Sequence, residues 1–136
     1  MEIYIFLVIA IGALSLMSAL YIKNAALKDY ESILIVRTCN CAAICEGVLR
    51  DAVSVMKRLG ESQLIVLDKG SIDGTYEILK RLSVKYAFPV VQINNDQEFR
   101  EIVELYSPAK GYELLAMDKN TKYFTARIQI SRINRM

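Results

Sequence analysis

Asp68 and Asp73 stand in a run of small residues, Gly70, Ser71 and Gly74, directly after a stretch of branched aliphatic side chains. Carboxylates in such a turn accept hydrogen bonds, and a uracil N–H or the hydroxyls of a ribose are among the donors they can take. A bare diphosphate is a poor match. The turn lacks the Lys-Ser/Thr ending of a phosphate-cradling loop and sets negative groups in the path of approach. The same residues have a structural use, in which Ser71 or Asp73 caps the helix that follows and favours its dipole. A cap does not exclude contact with a ligand, so both readings stand.

Asp118 and Asn120 form a second candidate. Lys119 places an ammonium between their carboxylate and amide groups. The alternative is a polar turn, where Asp and Asn are common. A third candidate is the thiol group Cys39, Cys41 and Cys45, spaced C-x-C-x3-C. Three thiolates suit zinc or an iron–sulfur cluster if an acidic group or a second chain supplies a fourth ligand. Against this stands the ordinary role of free cysteine as a small buried residue. The 3 cysteines are too few and too closely spaced for a disulfide framework, and they fit a reducing compartment. With no histidine, imidazole acid–base chemistry and histidine ligation are excluded. A formal charge of +2 is too small to point to nucleic acid as a partner.

The elements that must position these groups follow from periodicity. Leu64–Leu67 is an unbroken apolar run, the pattern of a strand buried on both faces, and Tyr76, Leu79, Leu82 and Tyr86 recur at helical spacing after the turn. Upstream, Ile33–Val36 predicts a first strand. Ile44, Val48, Leu49, Ala52, Val55, Met56 and Leu59 predict a helix that stops at Gly60. Downstream, Phe88–Ile93 is a third strand with Pro89 near its start. Asn95 and Glu98 are a capping pair for a helix bearing Phe99, Ile102, Val103 and Tyr106, which Pro108–Gly111 ends. Tyr112–Met117 reads as a fourth strand and Tyr123–Ile130 as a fifth, joined through Asp118–Lys122 as a hairpin. The fold class expected is α/β, a small Rossmann-like, mainly parallel sheet of four or five strands with flanking helices. Parallel strands with right-handed crossovers bring every strand-to-helix turn to one edge. That edge would collect Arg37–Asn40, Asp68–Asp73, Asn94–Asp96 and Asp118–Asn120, and open α/β sheets bind ligands there.

Ile3–Ile22 contains no charged residue, and such a stretch as a helix spans about 30 Å, the thickness of a bilayer core. Tyr4 and Tyr21 near its ends suit the interfaces. The expected organisation is a transmembrane anchor over residues 1–23, a linker over 24–32 and an α/β domain over 33–136. Lys23 and Lys28 follow the span while only Glu2 and the amino terminus precede it, so the positive-inside rule places the C-terminal domain in the cytoplasm of a single-pass membrane protein. At the other end, Arg127–Arg135 holds three arginines and no acid, suited either to anionic headgroups or to solubilising an edge.

Val66–Thr75, VLDKGSIDGT, resembles the VVDDGSTDGT signature of family 2 glycosyltransferases, inverting enzymes that use nucleotide-sugar donors on a GT-A fold. Ile33–Asn40, ILIVRTCN, lies where that family has a strand ending in Pro-x-Tyr-Asn, and Gly111–Asn120, GYELLAMDKN, resembles its GEYILFLDAD strand with a metal-binding Asp-x-Asp. The resemblance implies a GT-A-like domain in which Thr38, Asn40, Asp68, Ser71 and Asp73 meet a nucleotide or nucleotide-sugar. It also implies that Asp118 and Asn120, a carboxylate and an amide carbonyl, stand where a divalent cation, Mn2+ or Mg2+, is held by hard oxygen donors. Departures come with it: Lys69 for the second Asp of Asp-Asp-Gly-Ser, Arg37 for the proline, Cys39 for the aromatic residue and Cys41 for a commonly acidic position. The sequence runs only 16 residues past Asn120. A full family member continues there with the acceptor-binding half that supplies the Asp general base. The expectation is therefore a membrane-anchored, glycosyltransferase-like domain that binds a nucleotide-sugar without transferring it. The alternative is a structural or interaction module of a membrane complex, contacting a partner membrane protein or a second copy and taking no small ligand.

Overall fold

The computed structural model describes residues 32–60, 62–106 and 111–133. The proposed membrane span Ile3–Ile22 and most of the linker lie outside the described residues. Among the described residues no helix is long and apolar enough to cross a membrane. The elements run β1 (Ser32–Thr38), α1 (Ala42–Leu59), β2 (Ser62–Asp68), α2 (Thr75–Tyr86), β3 (Val90–Gln92), α3 (Asp96–Tyr106), β4 (Glu113–Met117) and α4 (Tyr123–Ile133). The four strands form one parallel sheet in the order β3-β2-β1-β4.

The central pair explains why the sheet forms where it does. β1 and β2 are continuous aliphatic runs paired from Ser32 with Ser62 to Thr38 with Asp68, and both must be covered on two faces. On one face Leu34, Val36, Leu64, Val66, Leu115 and Met117 pack under α1, α2 and α4. On the other, Ile33, Ile35, Ile65 and Leu67 pack against Ile93 and the Phe99, Ile102 and Val103 side of α3. Helices on both faces of a parallel sheet make this a Rossmann-like α/β layer structure, with the order reversing between β1 and β4.

Local signals close the elements. Gly60 ends α1 at φ +78°, a conformation costly for any side chain. The Asn95 side chain accepts the Glu98 N–H at 2.8 Å, as a cap should, while the Glu98 carboxylate reaches back to the Asn94 N–H at 2.8 Å. One expectation fails: Tyr123–Ile130 is not a fifth strand but most of helix α4, so Asp118–Lys122 is a strand-to-helix turn and no antiparallel hairpin exists there. The helix lies beside α1, where Tyr123 donates its hydroxyl to Asp51 at 2.6 Å and Ala126 is fully buried.

Candidate functional site

All four strands end at one edge, so the turns named from the sequence share it. Thr38 pairs with Asp68 on one side and with Met117 on the other. Asp68 and Asp118 thus follow strands two spacings apart, about 10 Å across the rim. The backbone ladder continues past the strands, with Cys39 N–H to Met117 O at 2.9 Å and Lys69 N–H to Thr38 O at 2.8 Å.

Within this edge the β1 and β2 turns are tied together by two parallel relays. In the first, the Asn40 N–H donates to Ser71 Oγ at 2.9 Å, and Ser71 Oγ donates to Asp68 Oδ1 at 2.5 Å. In the second, the Cys41 N–H donates to Thr75 Oγ1 at 3.0 Å, and Thr75 Oγ1 donates to Asp73 Oδ1 at 2.5 Å. Each runs from a backbone donor through a hydroxyl to a carboxylate, so each hydroxyl is both acceptor and donor. Asn40 turns the chain at φ +51°, a left-handed conformation that asparagine tolerates, and its side-chain carbonyl accepts the Ile72 N–H at 2.8 Å.

The two carboxylates differ in environment. Asp68 is fully buried, and it also takes the Thr38 hydroxyl at 2.9 Å and the Ser71 N–H at 3.1 Å. Burial of a carboxylate is tolerated because its oxygens are satisfied. Asp73 is exposed. Its Oδ2 accepts the Ala42 N–H at the start of α1 and its Oδ1 the Thr75 N–H at the start of α2, both at 3.1 Å. The N-cap residues themselves, Cys41 and Gly74, make no side-chain cap bond, so Asp73 takes over that task from outside the cap position, one side chain serving two helix starts. The Thr75 hydroxyl bond first of all holds the Asp73 carboxyl below its ordinary value; burial opposes it, and the backbone donors of Ala42 and Thr75 add to the lowering.

The site residues named from sequence thus fall into one group and two outliers. Thr38, Asn40, Asp68, Ser71 and Asp73 form the bonded cluster. Asp118 stands apart at the end of β4, where its Oδ1 accepts the Asn120 N–H at 2.8 Å and the Thr121 hydroxyl at 3.1 Å. The Asn120 backbone bond, then that hydroxyl, keeps its carboxyl low. One carboxylate held by its own turn, beside an ammonium, is a poor donor set for a hard cation that takes about six or more oxygens. Cys41 and Cys45 are buried and Cys39 is half-buried, all free thiols. The interaction between the two buried thiols lowers Cys41 and, together with burial, raises Cys45. Among the described residues no three metal-ligating side chains come together.

Sequence reasoning gave Ile72 no role at this edge and named Lys69 and Arg37 only by position, without their contacts. Ile72 projects from the middle of the turn with 91% of its surface exposed, the lone large apolar side chain in a polar loop. Its signal was visible as that isolation. Lys69 reaches Asp96 at the start of α3 at 3.1 Å, which lowers the Asp96 carboxyl, and Arg37 lies 5.3 Å from the centre of the Phe99 ring. These contacts join β1 and β2 to α3 and needed the fold to be seen. No protein-family model matches this chain, and no curated protein matches it.

Proposed function

We propose that the rim formed by Asn40, Ser71, Ile72 and Asp73 binds a nucleotide or nucleotide-sugar, in a domain that resembles the nucleotide-binding half of family 2 glycosyltransferases and does not itself transfer sugar. The observation that carries this reading is the pair of relays, which fixes two turns side by side at the carboxyl edge of a parallel sheet, the edge at which α/β folds take ligands. On this reading Asp73 accepts ribose hydroxyls, the Asn40 amide NH2, which the relays leave unused, donates to the ligand, and Ile72 packs on the base. Asp68 and Thr38 act from below by holding Ser71. Lys69 and Lys119, at positions the resembled family fills with acids or neutral residues, favour binding over metal-assisted transfer. The domain is attached to the membrane through Ile3–Ile22 and faces the cytoplasm.

A second reading has an observation of its own. The buried Asp68 spends its oxygens on the protein, which suits a scaffold that presents its surface to a partner and takes no ligand. Thermal melting of the full chain in nanodiscs separates the two. A ligand at 100 times its dissociation constant stabilises by about 2.7 kcal/mol, which raises the midpoint by more than about 10 °C. Uridine or guanosine diphosphates and their sugars are expected to raise it, and to fail in Asn40→Ala. An unchanged midpoint across that panel, with and without manganese, rejects ligand binding in favour of the scaffold.

A further inference from the structure

Helix α4 has two apolar sides. Ala126, Ile130 and Ile133 are turned to the core, the first two at 0% and 2% exposure. Phe124 and Ile128, one helical turn apart, stand on the opposite side with 71% and 39% of their surface exposed. At about 100° per residue, Arg127 falls on one flank of that outer pair and Arg132 on the other. Arg127 borders a groove of about 290 Å³ between α4 and the end of α1, which Arg58, Ser54 and Ser131 also line. From Lys119 to Met136 the sequence has five basic residues and no acid. Of the nearby acids, Asp51 lines that groove, holds the Tyr123 hydroxyl and lies 3.8 Å from Arg127, while Glu113 is exposed in a second groove that Arg132 also lines.

We propose that this face docks on an anionic phospholipid bilayer, with Phe124 and Ile128 entering the interface and Arg58, Arg127 and Arg132 meeting lipid phosphates. An exposed aromatic and aliphatic pair between arginines gives the outer side of this helix, though not the helix as a whole, apolar side chains for a lipid interface, and charge selects the anionic surface. Topology agrees. α1 and α4 both run from the carboxyl edge back to the amino edge, so Arg58 and Arg132 lie toward the edge at which Ser32 opens β1. In the sequence, nine residues separate the uncharged stretch Ile3–Ile22 from Ser32. The inference does not depend on nucleotide binding, since the carboxyl-edge turns play no part in it.

The chain has no tryptophan, so a single one reports cleanly. The full chain carrying Phe124→Trp is reconstituted in vesicles of phosphatidylcholine alone or mixed with phosphatidylglycerol, with bromine on the acyl chains as a contact quencher. Leu105→Trp, exposed on α3 across the sheet, is the control. Quenching of the Phe124→Trp probe in mixed vesicles, absent in the control and relieved in pure phosphatidylcholine, is expected. Roughly molar salt, with a screening length of about 3 Å, should relieve it too. Replacing Arg58, Arg127 or Arg132 by Gln should lower the docked-to-undocked ratio about fivefold each. Equal quenching of the two probes, or quenching indifferent to phosphatidylglycerol, overturns the proposal. Emission that shifts only as the protein-to-lipid ratio rises assigns the face to a second copy and overturns it as well. Water-exposed emission in every bilayer gives the basic face to an acidic protein instead.

Discussion

Replacing Asp73 tests whether one exposed carboxylate organises both turns. Its Oδ2 takes the first N–H of α1, from Ala42, and its Oδ1 that of α2, from Thr75, both at 3.1 Å. A capping oxygen contributes about 0.5–2 kcal/mol to the helix it starts, and exposure to water places each bond here in the middle of that range, about 1 kcal/mol. Asp73→Asn keeps one oxygen and sets an NH2 group against the other N–H, so it should cost about 1 kcal/mol. Asp73→Ala removes both acceptors and should cost about 2 kcal/mol. For a domain of about 100 residues these become midpoint losses of about 6 °C and 12 °C. Circular dichroism melting of the reconstituted full chain reads them. The pH dependence has a definite sign. Because the folded carboxyl lies below its ordinary value, its stabilisation is complete above the unfolded value of about 4 and is lost as pH falls through the folded one. The gap between the native chain and Asp73→Asn should therefore be full near neutrality and close in acid. Equal costs for the Asn and Ala variants, or a gap that does not change with pH, would refute the double cap.

The other expectations concern packing and the buried relay. Thr38→Val keeps the shape of the side chain and removes a hydroxyl that donates to the buried Asp68, so it should cost about 1–3 kcal/mol. In a cycle with Ser71→Ala the costs should fail to add, and strict additivity measured by denaturant unfolding would show that the two hydroxyls do not share Asp68. Gly47 sits inside α1, where a Cβ would lie 3.0 Å from the Tyr123 ring. Gly47→Ala should gain about 1 kcal/mol of helix propensity in a Tyr123→Ala background and less in the native chain. An equal effect in both backgrounds would mean that the ring moves aside freely. Leu49→Ala, fully buried beneath the same layer, should cost about 2–5 kcal/mol, and a loss under about 1 kcal/mol would contradict the described core.

The parallel sheet was legible because its evidence is local. Ile33–Val36 and Leu64–Leu67 are apolar without alternation, which only burial on two faces explains, and each is followed by a helical repeat that fixes the crossover. The cap at Asn95 and the stop at Gly60 were legible for the same reason, since three or four residues contain the whole signal. The relays were not. They bond residues about 30 apart in sequence, and only the register that sets Thr38 beside Asp68 brings Asn40 to Ser71 and Cys41 to Thr75. Sequence could nominate Ser71 and Asp73 as caps for the helix after them. It could not show Asp73 starting the helix before them as well.

The misread of α4 has a physical cause that bears on what the helix does. In Phe124, Ala126, Ile128 and Ile130 the apolar residues alternate with Thr125, Arg127 and Gln129, which is the period of a half-buried strand. The same four residues also make two pairs at i, i+4, and a helix sends those pairs to opposite sides. Contacts from elsewhere in the chain decide between the two. Gly47 makes room on α1 for the Tyr123 ring, Asp51 holds its hydroxyl, and Ala126 is small enough to vanish against the layer below. Once the helix forms, only Ala126 and Ile130 can be buried by the domain, and Phe124 and Ile128 are left facing outward between arginines. The alternation that misled the reading is thus that of a helix whose inner pair, Ala126 and Ile130, meets its own sheet, while its outer pair, Phe124 and Ile128, is the one proposed above to meet the bilayer.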